Sequence, residues 1–418
     1  MSLKSFMPHK VLLILSFLCL FVAKTQAQDW SQWGGPHRNF TTETKGLAPS
    51  WPATGPRRLW QRELGEGYSA IAVESGMLFT MYRKGDNEIA IALDAATGKT
   101  VWEYSYAAPF SPDYDMTNGP GPHATPLVVG NLVITSGATG KLHCLDKKTG
   151  KRLWSHDLLS EFNGTLRVNG YSCSPLAYKD KIVMMVGGPS SSLIAFNQKD
   201  GSVIWKRHDF KNSTSSPIII NVDGQGQLVA FMYSEIVGVD PNNGDLFWSH
   251  PHPIEFGLNT SMPVWGPDNL LFMSSGYNGG SRVLKLTRAG DKTNVEEVWA
   301  SRLMRVHFTN AIRVDDLIYG SSGDFGPAPF TAINVKTGNV VWRHRSFPRA
   351  SFLFADGRFI ILDEDGHLIL ATATPESLTV ISKVELLSNK SWTAPSLSGT
   401  RLYARDRKNV IALELGAQ

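Results

Sequence analysis

Ala92-Leu93-Asp94-Ala95-Ala96-Thr97-Gly98-Lys99-Thr100-Val101-Trp102 returns about fifty residues later as Cys144-Leu145-Asp146-Lys147-Lys148-Thr149-Gly150-Lys151-Arg152-Leu153-Trp154. Each copy is an apolar run, a tight turn and a short second run closed by Trp. The Asp carboxylate can accept bonds from backbone N–H groups of the turn, Gly supplies a positive φ, and Thr bonds locally. The Trp offers a large flat face, expected to meet the neighbouring unit at its small Ala or Cys. Asp94, Gly98, Trp102, Asp146, Gly150 and Trp154 are therefore read as structural docking residues. Self-similarity at this period means stacked units, none of which buries its own faces alone.

Around the first copy, Ser69 to Val73 reads as a strand, Glu74-Ser75-Gly76 as a turn and Met77 to Tyr82 as a second strand. A polar loop at Gly85-Asp86-Asn87 leads to Ile89 to Leu93, the turn, and Thr100 to Trp102. Short β-rich runs between Gly/Asn/Asp turns make a four-stranded antiparallel meander. The order recurs from Ala124, Ser174, Ser216, Met262, Asn310, Ser351 and Thr393, with Trp205, Trp248, Trp299 and Trp342 continuing the series. In the seventh copy Thr374-Pro375-Glu376-Ser377 replaces the Gly turn, and Ile381 stands near the Trp position. The eighth copy stops at Leu415, one strand short, while Gly55-Pro56-Arg57-Arg58-Leu59-Trp60 has the form of the missing one. Pairing the two ends removes exposed sheet edges. The expectation is an all-β, eight-bladed β-propeller over residues 56–418, with 28–55 as an N-terminal extension.

Residues 1–27 read as a signal peptide. Lys4 and Lys10 precede the uncharged stretch Val11 to Val22, and Thr25-Gln26-Ala27 offers small side chains for cleavage after Ala27. The stretch is too short to span a membrane, and no other segment qualifies. Leu18 before Cys19 lacks the small residue that lipidation requires. The expected location is periplasmic or secreted. Of 41 basic and 37 acidic residues, cleavage removes three lysines, leaving a nearly neutral chain. No basic block is interleaved with aromatics, which argues against a nucleic-acid partner. Cys144 and Cys173 remain; they could pair in an oxidising compartment, but their positions read as two buried thiols.

The repeat resembles the tryptophan-docking motif of the pyrroloquinoline quinone (PQQ) propellers, Ala-x-Asp-x-x-Thr-Gly-Lys-x-x-Trp. Residues 92–102 match it throughout, and 144–154 differ only in Cys144. Later copies carry Asn197 or Asn334 at the Asp position. Asp29-Trp30-Ser31-Gln32-Trp33-Gly34-Gly35-Pro36 also looks like the opening of secreted bacterial PQQ-binding-like propellers. The resemblance implies one of two roles. Quinoprotein dehydrogenases hold PQQ and calcium on the axis, commonly beside a Cys-Cys disulfide. Non-catalytic members, such as an outer-membrane assembly lipoprotein, present the propeller as a docking surface. This chain has no Cys-Cys pair and no Cys-x-x-Cys-His haem site.

Two links between units, Glu103 to His123 and Ser155 to Cys173, are longer than the others, and long loops on a rigid ring commonly carry function. Asp113 and Asp115 could hold calcium or act as acid and base; an exposed loop is the plainer alternative. His123 opens an inner strand near the axis as a base, a ligand contact or a structural histidine. Arg302, Arg305 and His307 lead into the sixth unit and could favour an anion or form rim salt bridges. Asp363-Glu364-Asp365-Gly366 and Asp223-Gly224-Gln225-Gly226 have the composition of ordinary hairpin turns. Asp113, Asp115, His123, Arg305 and His307 are the candidate ligand-binding set, with no catalytic and no metal residue nominated. The leading expectation is a non-catalytic scaffold that binds a protein or extracellular ligand on the long-loop face. The alternative is a PQQ-dependent alcohol or sugar dehydrogenase, in which Arg305 or His123 would contact the quinone and a loop carboxylate would hold calcium.

Overall fold

In the computed structural model, residues 28–324 and 326–417 are described. The expected signal peptide lies outside them. Eight antiparallel sheets form the eight blades of a propeller. Blade 1 pairs Ala72–Glu74, Met77–Lys84, Asn87–Asp94 and Thr100–Ala107 in that order. Blades 2 to 8 begin at Leu127–Val129, Leu176–Tyr178, Ile218–Val222, Val264–Trp265, Ala311–Val314, Ala350–Ala355 and Ser396–Ser398. These first strands surround the axis. The outer strand of blade 8 is Arg57–Glu63, antiparallel to Asn409–Glu414, so the two ends of the chain close the ring. Arg405, fully buried, bridges the seam: its guanidinium donates to Ser69 O at 3.0 Å and Met81 O at 2.9 Å in blade 1.

The repeat turn is built by its Asp. Asp94 Oδ1 accepts from Thr97 N at 2.8 Å and Thr97 Oγ1 at 2.7 Å, and Asp146 does the same with Thr149 at 2.9 and 2.7 Å. These bonds, the hydroxyl's foremost, hold both carboxyls below their usual range. The tryptophans meet their neighbours at the glycine. A Cβ on Gly150 would stand 2.6 Å from the Trp102 ring, and Trp102 Nε1 donates to Lys147 O at 2.9 Å in the next blade. Trp154 meets Gly201 and Gln198 O, and Trp205 meets Gly244 and Pro241 O, in the same way. Trp342 donates to Thr374 O. The small residue instead lies under the Trp of its own blade: Ala92 pairs with Trp102 and Cys144 with Trp154. The expected Trp-to-Ala contact between units is thus corrected to a Trp-to-Gly contact.

Other expectations shift. The outer strands run on to Ala107 and Asp157, so the long links occupy 108–126 and 158–175 rather than starting at Glu103 and Ser155. The second link holds a short helix, α1 (Leu158–Phe162), capped by Asp157, whose Oδ1 accepts from Leu159 N and Ser160 N. Blade 5 departs from the repeat, with strands Gly280–Ala289 and Lys292–Ser301 joined at Gly290. Trp248 therefore donates within its own blade, to Gln227 Oε1 at 2.7 Å. In blade 7 the register puts Ser382 at the Trp position, and Ile381 is the residue skipped at the bulge. Ser382 Oγ there accepts from Trp51 N at 2.9 Å, so the N-terminal extension is tied to blade 7 where the repeat lost its Trp. Cys144 and Cys173 are free and buried.

The extension also crosses the axis. Trp30 bridges to Val73 in blade 1, and Ser31 O accepts from Val128 N in blade 2. The buried Arg38 donates to Ser174 O and Pro175 O at the start of blade 3 and to Pro217 O at the start of blade 4. Thr41–Thr42 then pairs in parallel with Phe354 and Ala355 of blade 7. Positive φ at Gly34, Gly35, Arg38 and Phe40 folds this path into a compact plug. The channel is closed at one end.

Candidate functional site

Closing one end turns the channel into a cup of about 470 Å3 that opens on the face carrying the links between blades. Its floor is Trp33 and Phe40 of the plug, which pack edge to face at 4.9 Å. Its wall is made where each link turns into an inner strand. Small polar residues are required at those starts because their side chains tie adjacent blades: Ser174 Oγ accepts from Thr125 N, and Ser216 Oγ from Ser174 N.

One side of the wall is a run of rings. Phe308 lies 4.8 Å from Trp392, Trp392 stacks on Tyr68 at 5.4 Å, and Tyr68 stacks on His123 at 5.8 Å. Trp392 is oriented by Glu364, which accepts from its Nε1 at 3.0 Å, and Tyr68 by Asn118 O, which accepts from its hydroxyl at 2.7 Å. The run continues past Phe308 to His307 at 5.0 Å, then to Tyr277 at 5.0 Å and Phe256 at 5.3 Å. The rim is apolar at Val168 and Phe256, which are 57% and 53% exposed.

His123 and His307, nominated from sequence, both line the cup. His123 Nε2 donates to Asn169 O at 3.1 Å, and burial pushes its pKa down to about 4. Burial likewise takes His307 to about 4, with Asp324 pulling the other way. Both imidazoles are neutral at pH 7. Asp115 reaches the lining, with its oxygens accepting from Thr117 N at 2.9 Å and Asn169 Nδ2 at 3.2 Å. Asp113 is exposed on the link outside it. Arg305 is paired with Asp324 at 2.8 Å and donates to Tyr277 O, and Arg302 is exposed.

The two turn-like acidic stretches have structural partners. Asp363 is fully buried against His367 at 2.9 Å, and Asp223 ties Asn269 to the Arg288 backbone on the opposite face. Among the described residues no three His, Cys, Asp or Glu side chains converge as metal ligands.

The sequence reading did not find Tyr68, Phe308, Trp392 or the plug residues Trp33 and Phe40. The available signal was position: Phe308 and Trp392 each stand just before a repeat opening, at Asn310 and Thr393.

A protein-family profile described as Outer membrane protein assembly factor BamB matches residues 51–135 and 85–344. The outer membrane protein assembly factor BamB of Yersinia pestis is 22% identical over 69% of this chain and 73% of its own. The quinoprotein alcohol dehydrogenase PedH of Pseudomonas putida is 29% identical over 30% of this chain but only 21% of its own. The matched stretch thus spans about a fifth of that dehydrogenase. Among solved structures, BamB from Moraxella catarrhalis superposes with a TM-score of 0.61 at 16% identity, covering 86% of this chain and 99% of that one. Quinohemoprotein alcohol dehydrogenase from Comamonas testosteroni gives 0.66 at 12% identity, covering 94% and 81%. At such identities the likeness is one of fold. No helix among the described residues is long and apolar enough to cross a membrane.

Proposed function

Because this chain belongs to the family described as outer membrane protein assembly factor BamB, we propose that it is a non-catalytic binding propeller of the bacterial cell envelope. It is exported by residues 1–27 and holds a protein or extracellular ligand at the mouth of the cup. The observation that carries this reading is the character of the lining. Its walls are aromatic, its imidazoles are held neutral, and its Asp115 and Arg167 are already engaged by Thr117 and Asn169 and by Phe256 O. Such a surface supplies contact area and hydrogen bonds, and no base near neutral pKa paired with a nucleophile.

The alternative reading, a PQQ-dependent dehydrogenase, is favoured by the aromatic wall and by the partial matches to quinoprotein alcohol dehydrogenases. Calcium takes six to eight oxygen ligands, and Asp115 is the single carboxylate of the lining. Arg305, one of the two residues nominated to contact the quinone, is paired with Asp324. These residues do not fit the group, and no redox step is routed through the cup. The test uses protein recovered from the envelope fraction, whose first residue should be Gln28. Calorimetric titration with PQQ, with and without calcium, should give no saturable heat. Micromolar binding accompanied by dye-linked alcohol oxidation would replace this reading with the enzymatic one.

A further inference from the structure

We propose that the cup is a binding site for a neutral saccharide, taken end-on, one or two rings deep. This rests on the binding-scaffold reading above and names its ligand class. Three observations converge. The first is the wall of half-buried rings, Phe308, Trp392, Tyr68 and His123, each within 6 Å of the next. Such faces receive the C–H face of a pyranose as readily as another ring.

The second is Thr309, beside Phe308 in the lining. It is 7% exposed, and its Oγ1 is covered and has no hydrogen-bond partner among the described residues, so a turn about χ1 would bring it to a ligand in the cup. A buried hydroxyl without a partner is unusual in a folded protein and is a place for a ligand's hydroxyl to bind. Across the cup the Thr214 and Thr260 hydroxyls, 2.9 Å apart, add donors and acceptors that can rotate to suit a ligand.

The third is charge. His123 and His307 are neutral, and the one carboxylate and one guanidinium among the described lining residues, Asp115 and Arg167, are opposite in sign, so the lining carries no net charge. A purely apolar ligand would leave Thr309 unpaired, and a ligand with a net charge would meet a lining that has none. A ligand with an apolar face and neutral hydroxyls satisfies both constraints. The plug floor at Trp33 and Phe40 stops anything running through, so the site would accept a free sugar or the terminus of a glycan chain. The volume falls in the range of about 300–1,000 Å3 usual for small-ligand sites.

The experiment is Trp fluorescence and calorimetric titration of the mature chain with glucose, galactose, mannose, maltose, cellobiose and lactose. Glucuronate, glucosamine and N-acetylphenylalanine amide serve as contrasts, and a neutral-glycan array is screened in parallel. At least one neutral saccharide should bind saturably, with the charged sugars weaker. Trp392→Ala should weaken it about tenfold and Thr309→Val about fivefold. Thr309→Val removes only an unpaired hydroxyl and keeps the fold, so it remains informative if Trp392→Ala is unstable. Equal affinity for a sugar and for the array glycan it terminates marks recognition of a chain end, and binding of the free sugar alone marks a small-molecule site; both support the proposal. Silence of every neutral saccharide with folded protein overturns it. So does binding that neither variant changes, or binding of the phenylalanine amide without any sugar. None of these would touch the scaffold reading, which fails only if PQQ binds and turns over.

Discussion

Gly150 shows how one residue type answers two demands at once. Its φ of 69° lies in the left-handed region, and its missing Cβ leaves room for the Trp102 ring. Gly98 does the same beneath Trp60, with φ 70° and 2.7 Å between the missing Cβ and the ring. Gly150→Ala should therefore cost about 2–3 kcal/mol, from backbone strain and overpacking together. Urea denaturation checks this, and a loss below ~0.5 kcal/mol would show the indole slides aside freely. The docking Asp, Gly and Trp were legible because they are read from local chemistry. The Trp's partner was not, since a motif copied along the chain does not say which copy of which residue it faces.

At the scale of elements, the bulge beside each Trp decides what the outer strands bury. The register skips Val101, Leu153, Ile204, Val298, Val341 and Ile381, each exposed, and also Leu59 and Phe247, which are half-buried. A strict period-two reading breaks at such a position, which is why Ile381 rather than Ser382 was placed near the Trp site. The plug was missed for a related reason. Residues 28–55 carry little periodicity, and their order comes from distant carbonyls that Arg38 reaches in blades 3 and 4. Arg38→Met leaves those three carbonyls without their donor and should destabilise the plug by on the order of 3 kcal/mol. Limited proteolysis with mass spectrometry should then show cleavage within 28–47 while the ring stays resistant. Resistance of the plug equal to the parent's would mean Arg38 does not hold it.

Over the whole molecule, four histidines with depressed pKa set the response to acid. His123 and His307 are held near 4 and His143 and His252 near 3, each chiefly by burial. Unfolding returns them to about 6.5, so the unfolded chain binds more protons below that pH. Stability is full above 6.5 and falls progressively as pH drops toward 3. By pH 5 the loss should be on the order of 1–2 kcal/mol per histidine. Thermal unfolding should show a Tm clearly lower at pH 5 than at pH 7.5, before most carboxylates titrate. A Tm constant across that interval would show the native state accommodates the imidazolium forms.

The sequence by itself determined the eight-bladed ring and its closure by Arg57–Glu63. Both follow from short-range rules repeated many times: turn chemistry, strand alternation, and an end one strand short beside a start that supplies it. Of the residues that line the cup it named His123, His307 and Asp115, because they stand at the starts of blades or on a long link. The tertiary structure alone decided that these meet Tyr68, Phe308 and Trp392, and that Arg305 is neutralised by Asp324. It alone decided that the N-terminal extension seals the channel into a cup. The reason is physical. Residues drawn from every part of a ring meet only at its axis, so their company is fixed by closure and not by neighbours in the chain.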